Sequence, residues 1–188
     1  MPPTGSAEFI PRETCSQNSP TPFTKTSNEG IPLLLAGGWA VCYHGYARYT
    51  NDIDWVCSRA DEAQALALMK SLGFEIAFEA MATRFIHRKH FDRLPVDLLW
   101  VSSETFAKMA VTSQRTGVRA DMPVIDFEAL LAMKLHALKD DIERHGKDML
   151  DIRNLLAENT HALTDDKLRE LCDKFAGSDA YNRIRMIS

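Results

Sequence analysis

The run Leu94-Pro-Val-Asp-Leu-Leu-Trp-Val101 restricts the fold more than any other segment. It is apolar almost throughout, with a single charge, Asp97. A strand of this kind must be covered on both faces, which puts it in the middle of a sheet flanked by helices. A carboxylate inside such a strand is costly unless something meets it. Its partner is either an Arg or Lys in a structural ion pair, or part of a reaction. In the second case Asp97 is a metal ligand, or the base that takes a proton from an attacking hydroxyl.

The pattern on either side of this strand alternates between sheet and helix. Pro32-Leu-Leu-Leu-Ala36 is a short buried strand ended by Gly37-Gly38, and Trp39 to Tyr46 has helical spacing. Asp52 to Cys57 reads as a second strand. Asp61 is placed to cap a helix through Leu72, with Ala65, Leu68, Met69 and Leu72 on one face. Phe74 to Ala80 and Thr83 to His87 alternate as half-exposed strands. Val111 to Ile125 reads as a loop or hairpin around Gly117. Asp126 caps a helix from Phe127 to about Lys139. A second helix runs from about Lys147 to Asn159, and a third follows Thr164, where Asp165 and Asp166 suit the helix dipole.

The expected fold is therefore α/β: a small, mixed, twisted sheet with flanking helices, followed by a C-terminal helical subdomain. Residues 1–29 are rich in Pro, Ser and Thr and read as a loosely packed tail. Residues 30–101 form the α/β core, and residues 102–188 the helical part.

Three elements carry chemistry. In Asp52-Ile53-Asp54 the strand alternation sends both carboxylates to one side while Ile53 points to the core. Two converging carboxylates repel unless a cation lies between them. Mg2+ or Mn2+ suits such a place, because these ions take a few carboxylate oxygens together with substrate phosphates. The pair alone is a weak signal, since 15 aspartates in 188 residues produce about one such spacing by chance. Gly37-Gly38, between a strand and a helix, is the second element. It is either a simple tight turn or one that lets backbone N–H groups approach a phosphate. Asp97 is the third. Three carboxylates beside a phosphate-binding turn suit metal-assisted phosphate chemistry.

Composition sets outer limits. With 45% hydrophobic and 26% charged residues the chain is globular, and a net charge of -4 argues against coating nucleic acid by bulk charge. Cys15, Cys42, Cys57 and Cys172 have no C-x-x-C spacing and read as free thiols of a reducing, cytoplasmic compartment. The uncharged stretch from Ile31 to Ala47 is too short and too interrupted to span a membrane. The N-terminus has no basic-then-apolar pattern of a signal peptide.

The string Gly37-Gly38-Trp39-Ala40-Val41, then His44-Gly45, then Arg48-Tyr49-Thr50-Asn51-Asp52-Ile53-Asp54 resembles the core motif of the DNA polymerase β-like nucleotidyltransferases. It is most similar to the AbiEii/AbiGii-like toxin group. The helix holding Lys134-Leu-His-Ala137 and the segment Lys147-Asp148-Met-Leu-Asp151-Ile152 are similar to that group's C-terminal motifs, so the likeness covers about residues 31–158.

The resemblance implies a metal-dependent enzyme that transfers a nucleotide from an NTP to an acceptor hydroxyl. Asp52, Asp54 and Asp97 would be the metal ligands and catalytic carboxylates, and Gly37 and Gly38 would hold the triphosphate. Arg48 and Thr50 would shape the loop before the metal strand. Lys134 would lie near the phosphates, and Asp148 or Asp151 would complete the pocket. The acceptor would be tRNA or protein, with a cognate antitoxin as partner. Two other functions remain open: an aminoglycoside-type antibiotic nucleotidyltransferase, and a non-catalytic nucleotide-binding module. Two features depart from the group: an aperiodic N-terminus where a helix is usual, and Trp39 where Ser is common.

Outside this pattern, Arg84, His87, Arg88, Lys89, His90 and Arg93 form a basic stretch, either a solvated hairpin face or a contact for RNA phosphates. His44 packs in its helix or hydrogen-bonds near the strand end. Lys134, between apolar neighbours, either serves the phosphates or reaches out to solvent.

Overall fold

The computed structural model describes residues 30–114, 122–140 and 145–186. Five strands, β1 (Leu33–Leu35), β2 (Ile53–Ser58), β3 (Phe74–Glu79), β4 (Ala82–His87) and β5 (Val96–Val101), form one mixed sheet in the order β1-β2-β5-β4-β3. The β2–β5 pairing is parallel and the other three are antiparallel. The strand with the lone aspartate is therefore the central one, as its composition requires. Its two faces differ: Val96, Leu98 and Trp100 are buried, whereas Asp97, Leu99 and Val101 are half-buried. The second face is the one left open for a site.

Seven α-helices lie among the described residues. They are α1 (Gly37–Tyr43), α2 (Glu62–Ser71), α3 (Ser103–Thr112), α4 (Phe127–Asp140), α5 (His145–Glu158), α6 (Asp165–Phe175) and α7 (Ala180–Arg185). Local chemistry accounts for most of their starts. Asp126 accepts the N–H of Ala129 at 2.7 Å and opens α4, and Thr164 accepts that of Lys167 at 3.2 Å and opens α6. Asp61 stands at the start of α2 but makes no capping bond there. A 3-10 turn over Arg59–Asp61 precedes the helix, and Ser58 caps that turn through the N–H of Ala60. Helix α3 is an addition to the sequence reading. Its signal was present in Ser102, whose hydroxyl accepts the N–H of Thr105 at 3.1 Å.

Helices α1 and α4 bring the site together. α1 packs on β2 and on α4, and α4 packs in turn on α5 and α6. Leu130, Leu131 and Leu135 of α4 and Ile152 and Leu155 of α5 are almost wholly buried at this junction. Each such side chain contributes roughly 1.5–3 kcal/mol by leaving water. Residues 123–125 run beside β1: Leu35 donates to the Pro123 carbonyl at 2.8 Å, and Ile125 donates to the Leu35 carbonyl at 3.0 Å. Val124 also pairs with Gln114, in keeping with a hairpin, although Gly117 lies outside the described residues. At the other edge, β3 slips register against β4 between Ile76 and Phe78, and both of these side chains are exposed. No helix among the described residues is long and apolar enough to cross a membrane. Cys57 and Cys172 are buried free thiols, Cys42 is half-buried and free, and Cys15 lies outside the described residues.

Candidate active site

Strand register gathers the site. On the parallel pair β2–β5, Asp54 stands opposite Asp97, and on the antiparallel pair β4–β5, Arg84 stands opposite Asp97. Directly opposed residues share a face, so Asp54, Asp97 and Arg84 form one row across the sheet. Asp52 joins the row from the residue before β2. Arg84 donates Nε to Asp97 Oδ1 at 2.8 Å and Nη2 to Asp97 Oδ2 at 2.7 Å. The same Nη2 reaches Asp52 Oδ2 at 2.9 Å. Asp97 thus has an arginine as its partner, and that arginine also holds a second carboxylate. Of the basic stretch read in the sequence, Arg84 turns to the carboxylates, whereas Arg88 pairs with Glu75 at 2.9 Å on the exposed hairpin.

The two glycines make room for this row. Gly37 has φ +55°, and a Cβ there would lie 1.7 Å from Asp54 Oδ2. A Cβ on Gly38 would meet Thr50 Oγ1 at 2.3 Å. The group that comes close to the turn is therefore the carboxylate of Asp54, which accepts the Gly38 N–H at 3.4 Å. Glycine is needed here by the site's own side chains, a use the sequence reading did not foresee. Trp39 follows the glycines, and its indole N–H donates to the Asp52 carbonyl at 3.0 Å. Thr50 donates to Asp52 Oδ1 at 3.0 Å.

Asp54 carries the electrostatic stress of the row. Burial, then the charges of Asp52 and Asp97, push its pKa from 3.8 to about 6. The Gly38 N–H and the charge of Lys134 offset this only in part. Among the described residues no three His, Cys, Asp or Glu side chains form a ready-made metal cage. Arg84 lies between two of the candidate ligands. The donor set still suits Mg2+ or Mn2+: hard oxygens, few in number, one of them held against its own charge. Asp52, Asp54 and Asp97 are the residues that would hold the ion.

A buried cluster of charges forms the opposite wall. Lys134 of α4 lies 2.6 Å from Asp148 and 2.6 Å from Asp151, both on α5. Arg48 meets Asp151 with Nε at 2.7 Å and Nη2 at 2.9 Å. Lys134 is buried, so it does not reach out to solvent. Arg48 does more than shape its loop: it ties the approach to β2 to α5. Asp148 and Asp151 are each 1% exposed, and both face these cations. Between this wall and the carboxylate row lies a cleft lined by Gly37, Gly38, Asp54, Leu99, Met133 and Lys134, with Lys147 also on its lining.

The histidines lie elsewhere. His44 is buried, its Nε2 is 2.8 Å from the Ile125 carbonyl, and its ring stands edge-on to Tyr43 and Phe127. Burial holds its pKa below the usual imidazole value. It locks α1 to the start of α4 and has no place in the cleft. His87 Nδ1 accepts the N–H groups of Lys89 and His90, so His87 shapes the β4–β5 turn. Arg84 and Trp39 are the site residues whose roles the sequence reading missed. Register could have revealed Arg84, since on a hairpin next to β5 it is the charged residue that faces Asp97.

Comparison with known proteins supplies a family context. The family model described as "Nucleotidyl transferase AbiEii toxin, Type IV TA system" matches residues 110–183, the part that contributes Lys134, Asp148 and Asp151. No curated protein matches the chain. Among solved structures, ANT(2")-Ia in complex with adenylyl-2"-tobramycin is similar with a TM-score of 0.61 and 15% identity. That alignment covers 82% of this chain and 92% of the other. The lincosamide antibiotic adenylyltransferase LnuA, lincomycin-bound, is similar with a TM-score of 0.52 and 18% identity, covering 72% of this chain and 92% of that one. At these identities the structural likeness speaks for the fold. The chain therefore shares the fold of these two proteins, and its C-terminal part is similar to the AbiEii nucleotidyl transferase toxin model.

Proposed function

We propose that this chain transfers a nucleoside monophosphate from an NTP to an acceptor hydroxyl with the help of Mg2+ or Mn2+, as a toxin-type enzyme acting on RNA or protein. The single observation that carries the reading is the row Asp54–Asp97, opposite each other on adjacent parallel strands, with Asp52 and Asp54 lining a cleft beside it. In the proposed reaction the acceptor oxygen attacks the α-phosphorus, the bond to the β-phosphate oxygen breaks and pyrophosphate leaves. The hydroxyl proton passes to a carboxylate of the row, and Asp97 is the candidate base. A divalent ion bound by Asp52, Asp54 and Asp97 would supply charge neutralisation for the phosphates. Lys134 and Arg48 neutralise Asp148 and Asp151 on the facing wall, so the wall does not repel a triphosphate, and Lys134 on the cleft lining is the cation placed to meet a phosphate oxygen.

The AbiEii match supports the toxin-type reading and, with it, a cognate antitoxin as partner. A second reading, transfer to an antibiotic, draws on the fold shared with ANT(2")-Ia and LnuA along 92% of each of their chains. Labelled ATP, GTP, CTP and UTP, each offered with Mg2+ or Mn2+ to total tRNA, to cell lysate and to aminoglycosides, test both. Label on tRNA or protein supports the first reading, and label on the drug supports the second. Absence of label from every acceptor, with NTP still bound, would favour a non-catalytic nucleotide-binding module. Asp54→Ala should abolish transfer with the fold intact, and a fully active variant would remove the metal assignment.

A further inference from the structure

Both oxygens of Asp52 are already engaged. Thr50 donates to Oδ1 at 3.0 Å and Arg84 to Oδ2 at 2.9 Å. Arg84 in turn makes two of its three bonds to Asp97, in the forked geometry that guanidinium and carboxylate share. One side chain from β4 thus spans β5 and the residue before β2. Asp54, the third member, has no such partner among the described residues; it accepts the Gly38 N–H at 3.4 Å. The positive charge in the row is therefore placed off-centre, on two carboxylates of three.

We propose that Arg84 is the site's resident counter-ion, holding Asp52 in the metal-free protein and releasing it when a divalent ion binds. The proposal rests on the metal reading of this site. Metal binding is then a competition between a guanidinium and an ion for one carboxylate. The fork to Asp97 need not break, because the bond to Asp52 is the single-contact arm. With its side chain 42% exposed, Arg84 has room to swing that arm away. Arg84 is a positioning residue in this scheme. It keeps Asp97 and Asp52 on one face before the ion arrives, and it lowers the affinity for free metal. The phosphates of a bound nucleotide, which bring further oxygen ligands, offset that loss.

Direct metal binding tests the idea without reference to catalysis. Mn2+ is titrated into wild type, Arg84→Met and Arg84→Lys in the absence of nucleotide, and free Mn2+ is read by electron paramagnetic resonance. Arg84→Met should bind Mn2+ roughly three- to tenfold tighter than wild type. Arg84→Lys, which keeps the charge but not the fork, should fall between them. In chelator Arg84→Met should melt below wild type and regain stability on adding Mn2+. Equal affinity in all three proteins, or weaker binding by a folded Arg84→Met, overturns the competition and leaves the metal reading standing. No Mn2+ bound by any of the three overturns both. Should Arg84→Met fail to fold, wild type labelled with 15N-arginine provides the test. Saturating Mg2+ should move the Arg84 guanidinium signals more than those of Arg48, and unmoved Arg84 signals overturn the proposal.

Discussion

Replacing Asp54 by Asn should make the metal-free protein more stable while abolishing transfer. Burial and the neighbouring carboxylates raise its pKa from 3.8 to about 6. The folded chain therefore binds this proton more tightly than the unfolded chain does. Below about pH 4 the group is protonated in both states and costs nothing. Between pH 4 and 6 the penalty grows, and above pH 6 it is fully present. At about 1.4 kcal/mol per pKa unit, the shift corresponds to ~3 kcal/mol of destabilisation at pH 7.5, an upper figure for a group that keeps some contact with solvent. Asn keeps the shape, and its side-chain oxygen can still accept the Gly38 N–H. In chelator at pH 7.5, Asp54→Asn should unfold ~1–3 kcal/mol later in urea, or about 3–10 °C later on heating for a chain of this length. The difference between variant and wild type should shrink toward zero near pH 4. Taking that difference cancels groups common to both proteins, including His44, whose lowered pKa makes it work in the opposite sense as pH falls. A variant less stable than wild type at pH 7.5, or a difference that does not change with pH, would refute the reasoning.

Gly37→Ala forces a side chain into φ +55° and onto the Asp54 carboxylate, so it should cost at least ~1–2 kcal/mol in chemical denaturation and lose transfer activity. Lys134→Met leaves Asp148 and Asp151 buried without their shared cation and should cost ~3–5 kcal/mol in urea unfolding. Lys134→Met combined with Asp151→Asn should cost less than the two single changes added together. Trp39→Phe removes the bond to the Asp52 carbonyl while keeping an aromatic ring; stability should fall by ~1 kcal/mol, and transfer should fall by more than that loss explains.

Much of the sheet could be read from the chain because its strands differ in kind. The apolar run around Asp97 could only be central, and the alternating runs after Phe74 could only lie toward an exposed edge. The carboxylate pair and the glycine pair were visible as short motifs. Pairing partners were less accessible, since they depend on register, which is a property of two strands together. Asp97 announced that it needed a partner but not that the partner was Arg84, which sat unnoticed among other basic residues. The same holds for Lys134: its apolar neighbours said it was on a buried helix face, while its two aspartates stand 14 and 17 residues further on. Helix α3 was missed because its apolar residues do not form a buried stripe: Phe106 alone is buried.

The register slip in β3 has a consequence beyond the site. This strand is the outer margin of the sheet, with Ile76 and Phe78 facing water. A long straight margin of that kind invites a second molecule to zip onto it, backbone to backbone. The extra residue between the two side chains splits the β3–β4 ladder into runs of three and two pairs, and a bulge of this kind twists an edge away from straight pairing. The molecule thus carries an oily rim with a built-in guard against stacking into fibres.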